Sequence, residues 1–208
     1  MEDKIKEKFL GEINEIVERM YQESLLDIKE GFDSELLNIA ESLLESIENG
    51  LAAYSKFEEE GKVGGLNYIY LSFLRASFLA DISNYRLDYY DSNNRVSLIE
   101  CSEMWNFDYI FKYFENIKFE IQKKLEKQTR VQAYETDTIV FEKAEFYKNL
   151  ADKKIDVVLR CILQRDGERL LGGRIVKFYR GDFFDRVSFM FQWDQDHILE
   201  PDVEYHSI

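Results

Sequence analysis

Proline is almost missing from this 208-residue chain: the only one, Pro201, lies close to its C-terminal end. A Pro-rich spacer is therefore excluded, and any joint between folded parts has to be short and packed. Histidine is nearly as scarce. The two present, His197 and His206, both fall in an acidic tail, so the usual general base near neutral pH is poorly supplied. The two cysteines, Cys101 and Cys161, form no C-x-x-C pair. They suit neither a disulfide framework nor a cysteine metal cluster and read as small buried hydrophobes in a reducing, cytoplasmic setting. Phosphate-binding glycine loops and the G-x-S-x-G nucleophile turn are also absent, and no cofactor is implied. The longest apolar stretch, 66–82, is interrupted by Asn67, Arg75 and Asp81, which excludes a membrane span. The opening residues alternate charges and do not read as a secretory leader.

Positive charge is in deficit as well, with 27 Lys+Arg against 41 Asp+Glu and a net charge of −14. The imbalance is concentrated in residues 1–60, where 17 acidic residues face 6 basic ones. Direct nucleic-acid binding is disfavoured, because the basic group Lys123, Lys124, Lys127 and Arg130 is small against that charge. An acidic surface attracts basic partners instead.

What is present is a regular apolar pattern and a heavy aromatic load of 16 Phe and 13 Tyr. Phe9, Ile13, Ile16 and Met20 make a helical stripe over 3–29. Gly31 reads as a stop and Asp33 as the cap of a second helix carrying Leu36, Ala40, Leu43, Ile47, Leu51 and Tyr54. The expectation is an acidic antiparallel helical hairpin over 1–62, joined through Gly64–Gly65 to an α+β core over 63–193, with an acidic tail over 194–208.

Within the core, 66–82 is apolar all round and reads as a buried helix, with Arg75 among Tyr68, Leu71, Leu79 and Ile82 and in need of a partner. Residues 85–90 and 95–101 read as a hairpin around Asp91–Asn94, and 108–125 as a helix capped by Asn106 or Asp108. Residues 138–163 read as helix, with a strand over 155–163 as the alternative. A final hairpin pairs 174–180 with 187–193, placing Arg180-Gly181-Asp182 in its turn. Two small antiparallel hairpins built into one helix-covered sheet give an α+β fold.

Three polar groups stand out as candidate sites. Arg75, Arg86 and Asp88 could fasten a helix to the sheet or bind an anionic or planar ligand, the arginines supplying bidentate donors. Asp88 and Asp91, opposite Glu100 and Glu103, are a carboxylate group that could serve as an acid pair. Asp194, Asp196, His197 and His206 match no metal-ligand spacing, and no metal site is expected. On the helical arm, Glu41, Glu45 and Glu48 form an acidic row on which a basic protein could dock. The sequence leans toward a non-enzymatic interaction protein that binds or inhibits a basic partner, of the immunity, anti-defence or nucleic-acid-mimic type. Alternatives are a small anionic-ligand sensor or cryptic enzyme, and a homodimer or larger homo-oligomer assembled through the hairpin.

Overall fold

The computed structural model describes residues 2–75, 84–183, 185–194 and 197–199, and in it the acidic arm does not fold back. Residues Glu2–Glu59 form one helix, α1, about 87 Å long at 1.5 Å per residue. Gly31 does not stop it because Ile28, Phe32 and Ile39 are buried on both sides of the glycine. That burial outweighs the roughly 1 kcal/mol that glycine costs inside a helix. The glycine marks a close approach instead: a Cβ there would lie 3.0 Å from the hydroxyl of Tyr109, which donates to the Ile28 carbonyl at 3.0 Å.

Strand β1 (Tyr68–Phe73) replaces the expected helix over 66–82. Ile69, Leu71 and Phe73 face the helices, and Tyr68 and Tyr70 join an aromatic cluster on the other side, so both faces are covered. A central strand buried on both faces has the same unbroken apolar run as a buried helix, which is why periodicity misread it. Leu79 and Ile82 lie outside the described residues.

Strand β2 (Asn84–Tyr90) pairs antiparallel with β1, and β3 (Ser102–Asn106) pairs with β2. The expected partner segment 95–101 is mostly connecting loop, with Leu98 99% exposed. Two helices follow, α2 (Asp108–Leu125) and α3 (Asp137–Leu171), and α3 runs unbroken through 155–163. Gly172, at φ 56°, ends it. Strands β4 (Val176–Asp182) and β5 (Val187–Asp194) form the expected hairpin. Arg180-Gly181-Asp182, however, is the end of β4 and not its turn. A short β6 (His197–Leu199) adds to β5 from within the expected tail.

The sheet order is β3-β2-β1-β4-β5-β6, and among the described residues β1 and β4 are the only parallel pair. The fold is α+β, and the expected helix-covered sheet has six strands among the described residues. Its inner face, including Tyr85, Leu87, Tyr89, Trp105, Phe178, Phe191 and Trp193, shares one apolar core with the three helices. The apolar face of α1 is thereby used within its own chain, and the hairpin that would have paired into a dimeric bundle does not form. Among the described residues no helix is long and apolar enough to cross a membrane.

Candidate functional site

The carboxyl ends of the two parallel strands, β1 and β4, meet the middle of α3 in a dense polar network. Arg75, just past β1, donates to Asp182 Oδ2 at 2.9 Å and lies 3.4 Å from Glu145 on α3. Lys148, only 6% exposed, donates to Asp152 Oδ2 at 2.8 Å and lies 3.4 Å from Asp182 Oδ1, an ion-pair distance without hydrogen-bond geometry. The buried Tyr85 hydroxyl donates to Asp152 Oδ1 at 2.8 Å, and Arg180 donates to the Asp152 carbonyl. Burial holds the Tyr85 phenol well above its ordinary pKa, so this hydroxyl stays a donor. Burial lowers the pKa of Lys148, but its aspartate partners outweigh that and keep it charged.

The three residues expected to act together are split between the two faces of the sheet. Arg75 is on the helix side, and its side chain is 57% exposed, not enclosed by apolar residues as the helical reading required. Arg86 and Asp88 are on the far face, 2.7 Å apart, and Arg86 also pairs with Glu100 and stacks over the Phe183 ring at 4.7 Å. Burial raises the Asp88 carboxyl above its ordinary value while Arg86 pulls it the other way. Asp91 has its own task. It accepts the Gly64 and Asn93 backbone N–H groups at 2.9 and 2.8 Å, and these hold its carboxyl below the ordinary value. The suspected acid pair of Asp88 and Asp91 is thus an ion-pair anchor and a turn cap.

The acidic row is also partly committed. Glu41 pairs with Arg165 at 2.8 Å and Glu48 with Arg169 at 2.6 Å, which ties α1 to α3. Glu45 is exposed and makes no ion pair among the described residues. Of the suspected tail ligands, Asp196 and His206 lie outside the described residues.

Sequence reading passed over Lys148 and Asp152 and took Arg180 and Asp182 for turn residues. One signal was available for Lys148, which follows Ala144 by four residues and precedes Ala151 and Ile155 on the buried stripe of α3. A lysine at a core position of a helix demands carboxylates nearby. Asp182 and Arg180 gave no local sign, because only the fold brings β4 against α3. Comparison with protein families, with characterised proteins and with solved structures finds no match for this chain.

Proposed function

We propose that this is a non-enzymatic interaction protein whose helix α1 receives a basic protein partner. One observation carries the reading. Between Lys29 and Lys56 the helix has no cation at all, yet it carries Glu30, Asp33, Glu35, Glu41, Glu45 and Glu48. Among the described residues, arginines pair only with Glu41 and Glu48 of this set, so the surface left for a partner is Glu30, Asp33, Glu35 and Glu45, all exposed. Because α1 is one continuous helix packed along its length, these carboxylates are held at fixed spacing. Such a surface steers a cationic partner and costs little to order on binding.

The test is capture of basic proteins from host lysate by the natural chain and by a Glu30→Lys/Glu35→Lys/Glu45→Lys variant. The expected partner is retained at low salt, released at high salt and lost by the variant. Retention by the variant, or no retained partner at either salt, refutes the docking surface.

A further inference from the structure

The polar network leaves three cations over. Asp152 and Asp182 are occupied by Lys148, Tyr85 and Arg75. Arg180 bonds only the Asp152 carbonyl, and it forms no ion pair with a carboxylate among the described residues. Nor do Lys153 on α3 and Arg186 in the β4–β5 turn. These three cations thus stand close together without an ion-pair partner among the described residues. They surround a single cavity of about 470 Å³ between α3 and the end of the β4–β5 hairpin. Its lining holds four cations (Lys148, Lys153, Arg180 and Arg186) against two carboxylates (Asp152 and Asp182), a local charge of +2.

Neutral hydrogen-bonding groups complete the lining, the Asn149 amide and the Ser188 hydroxyl, both on exposed residues at the mouth. At Gly181 an added Cβ would lie 2.1 Å from the Arg186 carbonyl oxygen, so no side chain can project there. Behind the cavity, the Lys148–Asp152–Tyr85 chain of bonds fixes Asp152, and through its carbonyl the Arg180 guanidinium. Arg180 therefore stands pre-positioned, with donors still unused.

We propose that this cavity binds a small phosphate monoester. A dianionic phosphate group neutralises the local charge of +2, whereas a carboxylate leaves half of it unmatched. An arginine fork with lysine and hydroxyl donors is the donor set phosphate oxygens take. The volume lies in the range of small-molecule sites and leaves space for an organic group beyond the phosphate. The site also lies at the carboxyl ends of neighbouring parallel strands, where open sheets leave a crevice for ligands.

Calorimetric titration with phenyl phosphate, inorganic phosphate and acetate tests this. Phenyl phosphate should bind once per chain, more tightly than inorganic phosphate, with acetate weakest. Arg180→Met should weaken binding at least about tenfold, the loss of roughly one charged hydrogen bond. Arg180→Met could disturb the fold through its bond to the Asp152 carbonyl. A Lys153→Met/Arg186→Met double variant, altered only at exposed residues, keeps the test valid, and it too should lose affinity while keeping the natural melting temperature. Absence of saturable phenyl phosphate binding overturns the proposal, as does binding unchanged in the double variant. Equal affinity for inorganic phosphate and the ester overturns the assignment of an organic moiety.

Discussion

Replacing Gly50 by alanine sets two effects of opposite sign against each other. Gly50 lies inside α1, where alanine is favoured over glycine by about 1 kcal/mol. Against this, a Cβ at Gly50 would sit 2.3 Å from Cε2, Cζ and Oη of Tyr89. Tyr89 belongs to the inner face of β2 and is 1% exposed, so the ring has little room to retreat. Overpacking a closed core costs about 1–3 kcal/mol, and three clashing atoms on an immobile ring place this case at the upper end. The net expectation is a loss of about 2 kcal/mol, or several degrees in Tm for a chain of this size. Gly11, also within α1, has nothing within 4 Å of its added Cβ, so Gly11→Ala should stabilise by up to about 1 kcal/mol. Urea unfolding of the two variants against the natural chain is the assay, with the Tyr89→Phe background removing one of the clashing atoms and returning part of the loss. A Gly50→Ala protein as stable as the natural one would refute the claim that α1 rests directly on Tyr89.

Three further outcomes follow from the same geometry. Asp152→Asn strips Lys148 of its nearest carboxylate and should cost about 3 kcal/mol, much of it recovered when Lys148→Met is added. A double-mutant cycle showing no coupling would dissolve the proposed pair. Asp91, held below its ordinary value by the Gly64 and Asn93 N–H groups, stabilises fully above the usual aspartate range. That stability is lost as pH falls through the depressed folded value, because the unfolded chain takes up the proton first. Asp91→Asn should flatten the decline in unfolding free energy between pH 5 and 3; an unaltered slope would count against the cap. The Cys101 thiol, pushed up to about 11 first by burial and then by Asp88 and Glu103, should resist iodoacetamide at pH 8 until the chain is unfolded. Rapid native labelling of Cys101, read by peptide mass, would contradict its burial.

Helical periodicity and strong end signals made some of the fold legible. The helix over 108–125, the helical reading of 138–163 and the β4–β5 hairpin were all visible in local pattern. Illegible were the positions whose local signal has two causes. Gly31 looks like a terminator, but it is a contact point for Tyr109. Gly50 and Gly167 look like weak spots in helices, but they admit Tyr89 and Trp193. The run beginning at Leu66 is apolar all round, as a buried helix would be, but its described part is a central strand. In each case a residue 25 or more positions away decides between the readings, and no local window contains it.

Charged residues show the same limit in a form that bears on function. The pattern around Arg75 demanded a partner on the premise of burial in a helix; the residue is exposed past a strand, yet it pairs with Asp182 and Glu145. Neither could be named beforehand, since Asp182 is 107 residues away. A site for a ligand or partner is made from the charges that remain once the fold has matched the others, so raw counts of acids and bases mislead in both directions. Glu41 and Glu48 contribute to the acidic count but are matched by Arg165 and Arg169, whereas Glu45 is not. Arg180, Lys153 and Arg186 vanish within a total of −14, yet they meet at one cavity, and no carboxylate of the described residues pairs with them. This residue of unmatched charge, negative along α1 and positive at the end of β4, distinguishes surfaces able to bind from those that merely hold the chain together.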